Sequence, residues 1–192
     1  METKRQTLYI KNMVCPRCSQ KVEQIFEDLG CVVLLVELGR AVVISGEILD
    51  QQEIEKQLKK HGFELLHSKN DRLVESVKVL LINLIYWSKE IHWPLALDEY
   101  IEGSLQTNFN EMDDLFYSTY RYTIQEYFNL LRFERAKELI SSQKLSSQHI
   151  AKQLGYGNRQ KLSHEFRQRL GLDLNGFIAS ENNYRISLDA LV

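Results

Sequence analysis

The feature that most constrains this chain is a change of period near residue 69. Before it, short β-branched runs alternate with helical stretches. "TLYIKNM" alternates as a strand does, and "PRCSQKVEQIFEDLG" places Val22, Ile25, Phe26 and Leu29 at helical spacing with Gly30 as a stop. "CVVLLVEL" and "AVVISGEI" are two strand-like runs joined by the short turn "GR". "LDQQEIEKQLKKHG" reads as a second helix, capped by Asp50 and stopped by Gly62, and "FELLHS" as a fourth strand. From Lys69 onward the alternation vanishes and every segment reads as helix.

The order βαββαβ predicts a ferredoxin-like sandwich, an antiparallel sheet with both helices on one face. It also brings three connections to one end: "MVCPRC" after the first strand, "GR" after the second, and "KKHG" after the second helix. Arg40, Lys60 and His61 are therefore expected around Cys15 and Cys18. The fold class is α+β, with this sandwich over residues 1–68, a connecting apolar helix over 69–94 and an all-helical domain over 95–192. The connector "RLVESVKVLLINLIYW" is apolar on most of its circumference, but Lys78 and Asn83 exclude a membrane span.

At 192 residues, 44% hydrophobic and 26% charged, the chain can bury two modest cores. "METKRQT" has no apolar segment behind its basic residues, so no secretory signal is expected. Three cysteines in such a chain suit a reducing, cytoplasmic setting. A net charge of −2 says little about partners; its local distribution says more.

In the helical half, "ALDEYIEGSL" with "NEMDDLFYSTY" and "SSQHIAKQLG" with "NRQKLSHEFRQRLG" form two short helix pairs. "TIQEYFNLLRFERAKELISS" lies between them, opened by a Thr123/Glu126 capping box. "NGFIASENNY" reads as a last helix. In the second pair Ile150, Ala151 and Leu154 form one apolar face, and Leu162, Phe166 and Leu170 another. The opposite face carries Arg159, Gln160, Ser163, His164 and Arg167, the side chains that base edges and phosphates require. Lys144, Lys152, Arg159, Lys161, Arg167 and Arg169 face one acid, Glu165, between Ser141 and Leu170. A solvated helical hairpin with ordinary surface charge would show part of this pattern.

"YFNLLRFERAKELI" followed by "SSQHIAKQLGYGNRQKLSHEFRQRLG" resembles the C-terminal region of AraC/XylS-type transcription regulators. The resemblance covers about residues 95–179 and rests on Arg132, Arg135, Ala136, Leu139, Ile150, Ala151, Gly155, Tyr156, Leu162, Phe166, Arg167, Gly171 and Phe177. It implies two helix-turn-helix units joined by a long helix and entering successive major-groove segments of double-stranded DNA. It makes Arg159, Gln160, Ser163 and His164 base readers and Arg167 a phosphate contact, with Lys161 beside them in the DNA-binding set. Two departures stand out. Leu174 occupies a position where the family usually has proline, leaving Asp173 or Asn175 to cap the last helix. The first unit is acidic: Asp98, Glu99, Glu102, Glu111, Asp113 and Asp114, with no Lys or Arg from Leu95 to Tyr120. Asp113 and Asp114 align with Ser163 and His164. The first unit is thus expected to read little DNA, or to dock RNA polymerase or another protein.

The segment Thr7 to His67 resembles heavy-metal-associated (HMA-like) domains, on Met13, Cys15 and Cys18 of "NMVCPRC"; Asn12 and Val14 replace the usual Gly and Thr or His. The resemblance implies a soft-metal site at Cys15 and Cys18. Independently, Pro16 suits a first helical turn, so the helix dipole and Arg17, Arg40 and Lys60 should favour both thiolates. Two thiolates suit Cu(I) or another soft ion; zinc would need more ligands, with His61 the candidate third. Met13 reads as a core plug, Cys31 as a small buried residue and His67 as surface. A thiol–disulfide pair, or a sandwich kept for another purpose, fits the same residues.

These readings converge on a non-enzymatic, sequence-specific DNA-binding regulator, with a soft metal ion or thiol redox state as input at Cys15/Cys18 and a homodimer as a natural form. The alternative is a soft-metal carrier or thiol-redox protein whose helical half binds a protein partner. No phosphate-cradling Gly loop, HExxH or serine-nucleophile signature occurs.

Overall fold

The computed structural model describes residues 4–46, 50–88, 96–180 and 184–192, and the chain is α+β. It divides into two compact units, Met1–Leu80 and Leu81–Val192.

In the amino-terminal unit, β1 (Lys4–Lys11), α1 (Pro16–Asp28), β2 (Val32–Glu37), β3 (Arg40–Ser45), α2 (Gln51–Lys59) and β4 (Glu64–Leu65) follow one another as the pattern predicts. The four strands form one antiparallel sheet in the order β2-β3-β1-β4. Each helix therefore spans a neighbour: α1 carries the chain from β1 past β3 to β2, and α2 from β3 past β1 to β4. Strand period two, with a register shift in β2 between Val33 and Leu35, sends Leu8, Ile10, Val33, Val36, Ala41 and Val43 to one face. There they meet Val22, Ile25 and Phe26 of α1 and Ile54 and Leu58 of α2. Met13 is fully buried in this core and Cys31 nearly so, as their sequence context suggests.

Two elements differ from the sequence pattern. The expected strand "FELLHS" pairs only at Glu64 and Leu65, extended by the Leu66 N–H donating to Tyr9 O at 2.8 Å. Its partner ends at Asn12, whose φ of 69° turns the backbone out of the sheet, and Ser68 already caps the next helix through the Asp71 N–H at 3.0 Å. The connector is α3 (Lys69–Ile82) followed by a single π-helical turn, Asn83–Trp87. Lys89–Pro94 of the expected connector lie outside the described residues, as do Leu95, Glu47–Leu49 after β3 and Glu181–Asn183 of the expected last helix. The early turns of α3 belong to the amino-terminal unit. Arg72 lies 4.7 Å over the Tyr9 ring and donates to Leu66 O, and Glu75 accepts the Asn12 N–H at 3.1 Å.

The carboxy-terminal unit contains α4 (Leu97–Leu105), α5 (Phe109–Tyr120), α6 (Ile124–Ser141), α7 (Ser147–Gln153), α8 (Arg159–Leu170) and α9 (Leu174–Ala179). The Thr123/Glu126 capping box opens α6, with both reciprocal bonds formed. This helix buries residues around most of its circumference, among them Tyr127, Leu131, Phe133, Ala136 and Ile140, because it packs against both helix pairs. Among the described residues, no helix is long and apolar enough to cross a membrane.

The helix pairs repeat at an offset of 50 residues. Asn108 caps α5 and Asn158 caps α8; Thr123 caps α6 and Asp173 caps α9. Residues 111–120 and 161–170 share one burial sequence, position by position. Phe116 packs on Tyr127 at 5.4 Å, and Phe166 on Phe177 at 4.8 Å. The Ile124 N–H donates to Asp113 Oδ1, and the Leu174 N–H to Ser163 Oγ.

The turn between β2 and β3 offers a stability test. Gly39 has φ of +79°, and a Cβ there would lie 3.0 Å from Val79 Cγ2. Gly39→Ala combines backbone strain with a close contact, so it should destabilise the amino-terminal unit by about 1 kcal/mol or more. Hydrogen exchange of the β2 and β3 amides measures the change; unaltered protection would show that the turn relaxes freely.

Candidate nucleic-acid interface and thiol loop

The α7–α8 pair begins with its turn. Gly155 and Gly157 adopt φ of 72° and 83°, and the Tyr156 N–H donates to Ala151 O at 2.8 Å. This left-handed geometry favours glycine and reverses the chain in four residues. Asn158 then caps α8 through the Lys161 N–H at 2.9 Å. Leu162 and Phe166, one turn apart, are fully buried, and Phe166 lies edge-on between Phe133 and Phe177, each 4.8 Å away.

Fixing that face outward-aims the other. Arg159, Gln160, Lys161, His164 and Arg167 are exposed, while Ser163 is half-buried. Arg159, Gln160, Ser163, His164 and Arg167 together line a concavity of about 330 Å³. A wider cleft of about 720 Å³ adjoins it, with Asn129 and Arg132 of α6 and Tyr156 among its walls. Arg132 is stacked 4.5 Å over Tyr156 and donates to Leu154 O at 2.9 Å. Burial pushes the Tyr156 phenol up to about 12, so it stays neutral. Glu165, the single acid of this stretch, is paired with Arg169, so it does not neutralise the exposed cations on the other side of α8.

The expected readers differ in their engagement. The Arg159 guanidinium donates from Nε to Ser147 Oγ at 3.1 Å and from Nη2 to Asn175 Oδ1 at 2.7 Å, and its backbone N–H donates to Gln148 Oε1 at 3.1 Å. Ser163 Oγ accepts the Leu174 N–H at 3.3 Å. That bond accounts for the leucine standing where proline was expected: the amide has a partner, and Asp173 supplies the cap through the Gly176 N–H at 2.8 Å. Arg167 is 68% exposed, with Asp173 Oδ2 at 3.9 Å. Ser147, Gln148 and Asn175 were not legible as partners of Arg159, because they stand 11 to 16 residues away on other helices.

In the first pair the acids are only partly presented. Asp113 accepts the Ile124 N–H at 2.6 Å, and Glu102 accepts the Phe109 N–H at 2.7 Å. Asp113 is thus a tie to α6, which corrects its reading as a surface acid. Asp114 and Glu111 remain exposed, and Tyr117 occupies the position equivalent to Arg167.

Residues 105–178 match the family model described as a helix-turn-helix domain. The match runs from the last residue of α4 through most of α9, and it supports the AraC-type reading of this part of the chain. No curated protein and no solved structure matches the chain.

In the amino-terminal unit the three connections do converge. The Ile10 N–H donates to Gly39 O at 2.9 Å, and Asn12 Nδ2 to Gly62 O at 3.0 Å. Cys15 is the N-cap of α1, Pro16 lies in its first turn, and the two sulfurs are 3.2 Å apart as free thiols. Two of the expected cations are engaged elsewhere. Arg40 pairs with Glu37 at 2.7 Å, and Lys60 with Gln57 at 3.0 Å. Burial, then the hydrogen bond with Cys15, pushes the Cys18 thiol up, outweighing nearby backbone donors. The expectation that both thiols ionise readily is therefore overturned for Cys18. His61 is exposed, and among the described residues no three His, Cys, Asp or Glu side chains gather as a metal-holding group. His67 is exposed and bonds Glu55 at 2.8 Å.

The divided roles of the two neighbouring acids are measurable. Asp113→Ala leaves the first amide of α6 without its partner and should cost about 1–2 kcal/mol in urea unfolding. Asp114→Ala, at an exposed site, should stay within about 0.5 kcal/mol. Equal effects would remove the structural assignment of Asp113.

Proposed function

We propose that this protein is a sequence-specific DNA-binding transcription regulator of the AraC type, whose DNA affinity responds to the state of Cys15 and Cys18. The observation that carries the first half is the exposed face of α8. Arg159, Gln160, Lys161, His164 and Arg167 are held outward by a fixed aromatic core, on a helix that follows a tight Gly turn. The helix-turn-helix match covers that surface. A lone recognition helix contacts both phosphates and base edges, and cations with amide and imidazole donors serve both.

The first helix pair keeps the scaffold but replaces Arg159, Lys161, His164 and Arg167 by Phe109, Glu111, Asp114 and Tyr117. It is proposed to contribute little to DNA affinity, since Glu111 and Asp114 repel phosphates.

For the input, the amino-terminal unit is read as a ferredoxin-like, HMA-like sandwich, a reading supported by the strand order and by the CxxC loop at the start of α1. Two sulfur donors fit a soft ion satisfied by two ligands and do not fit tetrahedral zinc. Cys15 and Cys18 would hold Cu(I), which would supply a soft, thiolate-preferring charge at the loop. The same pair can close as a disulfide, with the two thiols losing two protons and two electrons to a peroxide or disulfide oxidant. Either state changes the loop that begins at Asn12, and Asn12 is anchored by Glu75 of α3. The same helix runs on into the π turn, where Tyr86 meets Leu131 and Arg135 of α6.

Duplex binding by the purified full chain tests this. About five phosphate contacts should give a log–log salt slope of about −4 to −5. A slope near zero would count against DNA binding. Cu(I) or a thiol oxidant should shift the affinity of the parent and leave Cys15→Ser/Cys18→Ser unchanged; equal behaviour of the two would strip the thiols of a regulatory role.

A further inference from the structure

The hydrogen bonds around α8 separate side chains that hold the helix from side chains free to meet a ligand. Gln160, His164 and Arg167 lie at i, i+4 and i+7, one stripe on the side of the helix away from Leu162 and Phe166. All three are exposed, and all three line the concavity on that face. Arg159 and Ser163 line it too, but each already bonds another helix, through Nε and Nη2 of Arg159 and through Oγ of Ser163. Arg159 bridges Ser147 at the start of α7 and Asn175 at the start of α9, and Ser163 accepts from the first amide of α9. Swinging the Arg159 guanidinium out to fork onto a base would give up the bridge from Nε and Nη2. Arg167 has only the 3.9 Å approach of Asp173 to give up.

We propose that base reading belongs to the Gln160–His164–Arg167 stripe, and that Arg159 and Ser163 are positioning residues that set the angle of α8. This rests on the DNA-binding reading above and assigns that site its specificity. The repeat supports the division. The first pair has Phe109 in place of Arg159 and Leu97 in place of Ser147, so the bridge exists in the second pair alone. The Ser163 bond, by contrast, has its counterpart in Asp113 to Ile124, a scaffold feature present in both pairs.

The chemistry of the stripe names its ligand. The Gln160 amide pairs with adenine N6 and N7, and the Arg167 guanidinium with guanine O6 and N7; His164 donates to an acceptor between them. Seven residues of helix rise about 10 Å, close to three base steps of about 3.4 Å. The preferred site therefore carries an adenine and a guanine about three steps apart in the major groove.

Selection of bound duplexes from a random pool by the full chain, repeated with each variant, tests the assignment. The parent should recover a site containing that adenine and guanine. Gln160→Ala, His164→Ala and Arg167→Ala should each flatten the preference at one base pair and weaken the parent site by about 5- to 150-fold. Arg159→Ala should bind the same site more weakly with every base preference kept. Arg159→Lys retains the charge but cannot bridge Ser147 and Asn175 together, so it should match Arg159→Ala in the affinity lost to misaligned α8. Asn175→Ala cuts the bridge from the other side and should likewise keep the motif, which guards against a folding defect peculiar to Arg159. Flattening of one position by Arg159→Ala, with an intact motif in Arg167→Ala, would overturn the proposal. A parent that recovers no motif would instead remove the DNA-binding reading itself, before any variant is compared.

Discussion

The edge-on packing of Phe166 between Phe133 and Phe177 is the constraint on which the carboxy-terminal surface depends. A helix of 12 residues with two buried anchors on one side has its rotation about its own axis fixed. Which residues face outward is then a matter of arithmetic at 100° per residue. Leu162 adds to the anchoring, and Leu174 and Phe177 bring α9 onto the same cluster. The polar bonds act on top of this. Asn158, Asp173 and Ser163 satisfy amides at helix starts, and the Arg159 bridge connects three helices at their amino-terminal ends. Hydrophobic burial fixes the rotation, and directional bonds fix the tilt.

The two helix pairs show how a scaffold can be kept while its surface diverges. Caps, buried positions and aromatic contacts recur at the same offset, so both pairs answer to the same packing rules. Their outward faces share almost no chemistry: Glu111 stands for Lys161, Asp114 for His164 and Tyr117 for Arg167. A side chain's place in the scaffold therefore says nothing of its ligand. Asp113 illustrates the point. Aligned with a polar surface residue, it reads as one acid among several, yet its carboxylate performs the scaffold role that Ser163 performs in the other pair.

Much of the fold was legible because it follows from local rules. Period two and period 3.6 located the strands and helices, and the Thr123/Glu126 box, Asp50 and Gly30 marked helix ends that the structure reproduces. The fourth strand and the connector were less legible because their extents are set by neighbours. β4 begins only at Glu64 because Asn12 leaves the sheet just before it, and it ends because Ser68 already caps α3; α3 then gives way to a π turn for which the sequence carries no signal. The candidate interface was legible in its identity and not in its internal division of labour. Exposure of Gln160 and Arg167 follows from helical phase, whereas the partners of Arg159 come from α7 and α9, and only tertiary structure brings them together. The thiols failed for a different reason. The three connections meet at one end as the strand order suggested, but proximity of loops does not fix where long cationic side chains point. Arg40 and Lys60 found closer partners, leaving desolvation to govern Cys18.

The Asn12–Glu75 bond ties the start of the thiol loop to α3. Asn12 has φ of 69°, a left-handed conformation that asparagine tolerates better than most residues, and two bonds hold it: its N–H to Glu75 and its side chain to Gly62. Glu75 is nearly fully buried with its carboxyl pushed up by desolvation, and Lys78 lies 3.8 Å away. A buried acid stripped of its amide donor cannot turn to water for a replacement, so the loss is felt by the helix that carries it. Asn12 therefore links the thiol loop to α3 and to the turn after α2 at once.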